Sequence, residues 1–160
     1  ANPEGGVVEA GQVTIQSPAS NHVVIEQASD KAIVNWQSFN IQQNEHTHFQ
    51  QPPGGVILNR INPSQGASSI DGKLTATGQV ILINPAGVYF GPEAFVNVGG
   101  IIVSTVNMSS AHFLAGKYIF DGPSSNDDPW RPNSIYLYQI LSVLFFHFTL
   151  TKKISILRTF

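Results

Sequence analysis

The chain of 160 residues is 42% hydrophobic, only 11% charged, and carries a formal net charge of −2. That is enough for one domain with a real core, and the eight basic residues are scattered, which excludes the electrostatic footprint of a nucleic-acid binder. Cysteine is absent, so disulfides, thiolate metal sites and cysteine nucleophiles are excluded together; the same absence suits a secreted chain that crosses a pore unfolded.

The opening run, ANPEGGVVEAGQVTIQ, has neither an initiator Met nor a basic and apolar leader. Ala1 therefore reads either as the residue left after a signal peptide is removed or as a plain boundary. From residue 11 to about residue 120, short apolar runs are punctuated by Gly, Pro or Asn. Strands are predicted at residues 12–16 (QVTIQ), 22–27 (HVVIEQ), 32–36 (AIVNW), 55–61 (GVILNRI) and 73–77 (KLTAT). Further strands are predicted at 79–84 (QVILIN), 88–90 (VYF), 94–98 (AFVNV) and 101–105 (IIVST).

No window before Phe120 sustains an apolar stripe at helical spacing, so the body is expected to be β throughout. Asp71-Gly72 is the one clear two-residue hairpin signal. Short strands joined by Gly-centred corners suit a parallel β-helix, with a β-sandwich as the rival all-β arrangement.

The composition changes after residue 122. Residues 123–134 (PSSNDDPWRPNS) read as a linker, and residues 135–150 (IYLYQILSVLFFHFTL) form a dense apolar run followed by Lys152, Lys153 and Arg158. The expected organisation is a domain at 1–122, a linker, and an apolar and basic tail at 135–160. The apolar run is shorter than the roughly 20 residues a spanning helix needs, and its β-branched and aromatic content leaves strand and helix both open.

Candidate chemistry is sparse. His46 and His48 alternate as two metal ligands on one side of a strand would, but the sequence offers no evident third ligand. A polar outer face explains the pair equally, and no metal or cofactor is assigned. The carboxylates Glu4, Glu9, Glu26, Asp30, Glu45, Asp71, Glu93 and Asp121 are dispersed, whereas a β-helical polysaccharide-cleaving enzyme needs them gathered; the chain is expected not to be an enzyme. No glycine-rich phosphate cradle follows a strand. Trp36, Phe39 and Phe49 are assigned to the core rather than to stacking on a sugar or base.

The most strongly punctuated stretch is GQVILINPAGVYFG, residues 78–91. Asn84 first, Pro85 second and Gly87 fourth is the preferred composition of a type I turn: the Asn side chain bonds the backbone ahead, Pro fixes φ, and Gly relieves the exit. Ala86 at the third position disfavours type II. This segment reads as a tight corner between strands 79–83 and 88–90.

Taken together, NPEGGVVEAGQVTI, AIVNWQSFNIQQNEHTHFQQP, VILNRI, SSIDGKLTATGQVILINPAGVYFG and AFVNVGGIIVSTVNMSSAHFLAGKYIF resemble one family. It is the N-terminal secretion domain of two-partner secretion exoproteins, the haemagglutination activity domain of filamentous haemagglutinin-like adhesins and haemolysins. The resemblance runs from about residue 2 to residue 120. It implies an all-β, right-handed parallel β-helix with an N-terminal cap and small extra-helical strands.

By the same resemblance, the domain is recognised by the periplasmic transport-associated domains of an outer-membrane two-partner secretion transporter. That recognition starts export of an adhesin or toxin to the cell surface or medium, by way of the periplasm. The family's Asn-Pro-Asn-Gly signature falls on Asn84, Pro85, Ala86 and Gly87, with Ala86 in place of the second Asn. Other family-motif positions fall on Trp36, Phe39, Asn40, Asn59, Arg60, Ser104 and Thr105. A second family element, Asn-Pro-Asn-Leu, is matched only in part by Asn62-Pro63-Ser64. Family members continue for many hundreds of residues of β-helical repeats, whereas this chain turns into the unmatched tail. A directly acting module that binds a host-cell receptor or glycan, and the polysaccharide-cleaving enzyme, are the alternatives to the secretion role.

Overall fold

A computed structural model describes residues 2–121 and the backbone of a strand at Ile135–Tyr138. The predicted linker at 123–134 and the remainder of the predicted tail and apolar run lie outside the described residues.

Two strands begin the fold, β1 (Val7–Ala10) and β2 (Val13–Ala19), and the chain then winds through successive coils. The first coil contains β3 (His22–Gln27) and β4 (Lys31–Trp36), and reaches its third face at Ile41. The second contains β5 (His46–Gln50), β6 (Val56–Ile61) and β7 (Ser68–Ile70). The third contains β8 (Lys73–Ala76), β9 (Gln79–Ile83) and β10 (Val88–Phe90), and the fourth contains β11 (Phe95–Asn97) and β12 (Gly100–Ser104).

From β3 to β12, each strand pairs in parallel with its counterpart one coil away. One face is ordered β2-β3-β5-β8-β11, the second β1-β4-β6-β9-β12-β13, where β13 is Ile135–Tyr138, and the third β7-β10. This is a parallel β-helix of about four turns. At its first coil the antiparallel strands β2 on β3 and β1 on β4 form the N-terminal cap.

The period-2 alternation of each strand sends every second residue inward, and the registers stack these into columns. Ala32, Ile57, Val80 and Ile101 form one interior column; Val34, Asn59, Leu82 and Val103 form the next. Each coil therefore buries apolar surface that its predecessor leaves open.

The six-stranded sheet is also covered on its outside. Ile33, Val56, Leu58, Ile81 and Ile83 point outward and pack beneath Met108 and Phe113 in a second core. That is why AIVNW, VILNRI and QVILIN read as nearly continuous apolar runs: both faces of their sheet are dry.

Two expectations need correction. The body is not β throughout: α1 (Ser110–Leu114) supplies Phe113, and Ser109 caps it by accepting the His112 N–H at 3.1 Å. Five residues are too few to show a helical stripe, so its legible signal was the capping Ser. Nor does Asp71-Gly72 make a hairpin. It turns the corner between β7 and β8, which belong to different faces, and a Cβ on Gly72 would lie 2.0 Å from the Gln42 carbonyl oxygen. Glycine is required there for close backbone approach.

Among the described residues, no helix is long and apolar enough to cross a membrane.

Candidate functional site

The Asn84 segment forms a corner between β9 and β10. The Gly87 N–H donates to the Asn84 carbonyl at 2.8 Å, and the Ala86 N–H donates to Asn84 Oδ1 at 2.9 Å. The side chain is fully buried, and its Nδ2 reaches the preceding coil, donating to the Gly66 carbonyl at 3.1 Å and to Ser68 Oγ at 3.0 Å. Ser68 answers with its own N–H to the Gly87 carbonyl at 2.9 Å. Gly87 has φ +107°, a conformation that L side chains rarely adopt. Pro85 and Ala86 are half-buried, and the hydrogen bond made by Ala86 comes from its backbone.

The Asn62-Pro63-Ser64 segment uses the same local device. Asn62 Oδ1 accepts the Ser64 N–H at 2.9 Å and opens a 3-10 turn, Pro63–Gln65, but Asn62 is exposed and Asn84 is not.

The other family-motif positions do not join this corner in one cleft. Trp36, Phe39 and Asn59 lie in the interior: the Trp36 indole N–H donates to Asn59 Oδ1 at 2.9 Å, and Asn59 Nδ2 donates to the Ile81 carbonyl at 3.3 Å. The Phe39 ring meets Trp36 edge-on at 5.6 Å and stacks toward Phe49 at 6.4 Å. These three aromatic residues are core, as their exposures of 3%, 1% and 0% for Trp36, Phe39 and Phe49 require. Asn40 Oδ1 accepts the Ser69 N–H at 2.9 Å, tying the first coil to the second. Ser104 is buried at the end of β12, where Oγ donates to the Val106 carbonyl and accepts the Val106 N–H; Thr105 follows it, half-buried.

Arg60 lies on the outer face and pairs with Glu9 of β1 at 2.9 Å. Ser110 of α1 hydrogen-bonds both Arg60 and Glu9, and Asn35 Nδ2 donates to Glu9 at 2.7 Å. The Ser110 hydroxyl, then the Asn35 amide, and with them Arg60, hold the Glu9 carboxyl below the usual carboxylate range against the opposing effect of burial. Sequence reasoning missed Glu9, Asn35 and Ser110, whose only signal is their arrival on one face from three elements.

His46 and His48 both point outward and share one partner. His46 Nε2 lies 2.7 Å and His48 Nδ1 2.6 Å from Thr75 Oγ1. A hydroxyl carries one proton, so it can donate to only one of the two ring nitrogens and accepts from any other that bonds it. Strand pairing adds His22, whose ring stacks on His46 at 4.7 Å. Burial first, then His22, His48 and Lys73, push the His46 pKa down. Among the described residues, no three His, Asp or Glu side chains are grouped so as to hold a metal ion.

Among the described residues, the arrangement is a set of inter-coil ties and corners, and its one described acid–base pair, Glu9 with Arg60, joins β1 to the outer face. Comparison with known proteins gives four findings. The family model described as the TPS secretion domain matches residues 1–129. A heme/hemopexin-binding protein of Haemophilus influenzae is 39% identical over 111 residues, 69% of this chain and 12% of that protein. Its counterpart from strain Rd is 37% identical over 107 residues, 66% of this chain and 12% of that protein. The crystal structure of the HMW1 secretion domain from Haemophilus influenzae superposes with a TM-score of 0.70 at 33% identity, covering 78% of this chain and 33% of that one. The chain thus spans about one eighth of the curated relatives it matches.

Proposed function

Since this chain belongs to the TPS secretion domain family, we propose that residues 1–122 are the module by which a two-partner secretion exoprotein is recognised by its outer-membrane transporter and exported to the cell surface or medium. The observation that carries this reading is the family match over residues 1–129, reinforced by a solved secretion domain of the same architecture at 33% identity. The family is one of secretion domains of exoproteins and not of enzymes. Binding of heme or hemopexin is not carried over to this chain, which spans 12% of the relatives so named.

The recognition step falls to the transporter's periplasmic domains. An extended chain adds a strand to an exposed sheet edge, so that backbone hydrogen bonds supply affinity and alternate side chains supply specificity. The absence of cysteine and the low charge support passage as an extended chain. Outside the cell, coil-on-coil folding then opposes back-sliding, because every coil laid down buries apolar surface of the one before. The Asn84-Pro85-Ala86-Gly87 corner is the part of the domain assigned to recognition. Its support is its match to the family signature and its position at the corner between two faces, where Pro85, Ala86 and Gly87 are half-buried.

The test is export of the full chain behind a signal peptide, with and without a co-expressed family transporter. Transporter-dependent appearance in the medium is the expected result. Retention in the periplasm beside a working transporter and an exported control overturns the reading and favours a module that binds a receptor or glycan directly.

A further inference from the structure

The six-stranded sheet has four mutually parallel strands, β4, β6, β9 and β12, with an antiparallel strand on each side. At the first side β1 closes the edge of β4. At the other side Ile135–Tyr138 runs along β12 in the register Ile101↔Tyr138, Ile102↔Leu137, Val103↔Tyr136 and Ser104↔Ile135.

The edge it covers is the one a fifth coil would use. β6 stacks on β4, β9 on β6 and β12 on β9, always parallel, so the side of β12 turned away from β9 is where the next strand belongs. Every coil crosses this face in the same direction, and a strand running the opposite way breaks that succession. An uncovered edge would also present a row of unpaired N–H and C=O groups to other chains. Solenoids meet this need with a terminal element unlike their repeats. The sequence IYLY, β-branched and aromatic, suits a strand.

We infer that Ile135–Tyr138 is the closing strand of this β-helix: it ends parallel stacking on the six-stranded face and seals the backbone of β12. It is the C-terminal counterpart of β1, and the assignment stands independently of the secretion role. On the other two faces, no further strand pairs with β10 or β11 among the described residues, so the closure belongs to one face.

Two measurements on the full-length chain test this. Because the protein has no cysteine, the pair I102C/L137C reports register directly. It is expected to form an intramolecular disulfide on oxidation, whereas I102C/I135C, displaced by two residues or roughly 6.6 Å along the strand, is not. Equal cross-linking of both pairs, or of neither, overturns the assignment. In the second, Y136P/L137P breaks the strand, and hydrogen exchange is followed by mass spectrometry. Amides of Gly100–Ser104 are expected to exchange about tenfold faster or more, while Val56–Ile61, inside the coils, is unchanged. Unaltered protection of Gly100–Ser104 overturns the proposal.

Discussion

The carboxamide of Asn84 donates to Ser68 Oγ at 3.0 Å while its own Oδ1 accepts the Ala86 N–H at 2.9 Å, so one buried side chain shapes a corner and fastens it to the preceding coil. Asn84→Ala removes both functions and leaves the Gly66 carbonyl, Ser68 Oγ and the Ala86 N–H short of a partner. A loss of about 2–3 kcal/mol is expected, read as a lower urea midpoint at unchanged slope. Asn84→Asp keeps an acceptor for Ala86 but turns a charge toward the Gly66 carbonyl, and is expected to be no better tolerated.

Gly87 and Pro85 separate backbone conformation from packing at the same corner. The φ of Gly87 is +107°, and the nearest atom to a Cβ there is Ala67 Cβ at 3.9 Å, so Gly87→Ala is opposed by conformation and not by a clash. It is expected to cost about 1–2 kcal/mol, and Pro85→Ala, acting through the freedom of the unfolded chain, about 0.5–1 kcal/mol. Secreted yield with the cognate transporter should fall for both. Wild-type yield from both variants, alongside lowered urea midpoints, would leave the corner a structural element with no part in recognition.

Much of this architecture can be read from the residues, because a β-helix writes itself as short β-branched runs with a corner residue between them. QVILIN and VILNRI show it, and so does the Asn84-Pro85 turn, whose chemistry is local. What stayed hidden is what depends on stacking. His22 and His46 lie 24 positions apart and become neighbours only through the register of β3 on β5. Glu9, Arg60 and Ser110 meet because α1 folds back over the outer face, a placement with no periodic signature. Asp71-Gly72 shows the converse: a local hairpin signal is overridden because the flanking strands each find a partner one coil away.

Trp36 and Asn59 form a buried polar pair between neighbouring interior columns, at 2.9 Å. Asn59→Ala strands the indole N–H in the interior, at an expected cost of about 1–3 kcal/mol. Replacing donor and acceptor together should be milder than the sum. In a double-mutant cycle, Asn59→Leu is expected to destabilise Trp36→Phe less than it destabilises the wild type. Additive effects would mean that the pair contributes no coupling and that Asn59 acts through its bond to the Ile81 carbonyl.

Acidification should weaken the domain in two stages, by opposite chemistry. His46 has a pKa depressed below 6.5 in the fold by burial and by the neighbouring His22, His48 and Lys73. The unfolded chain therefore takes up this proton first, and stability falls as pH drops from about 6.5 toward the folded value. Glu9 has a pKa depressed below 4.5 by Ser110, Asn35 and Arg60. Its stabilising effect is fully present above 4.5 and is lost as pH falls through the folded value. Urea midpoints measured from pH 8 to pH 3 check both stages. His46→Gln is expected to flatten the upper stage and leave the lower one, and Glu9→Gln to do the reverse. An upper stage that persists undiminished in His46→Gln would overturn its assignment to His46.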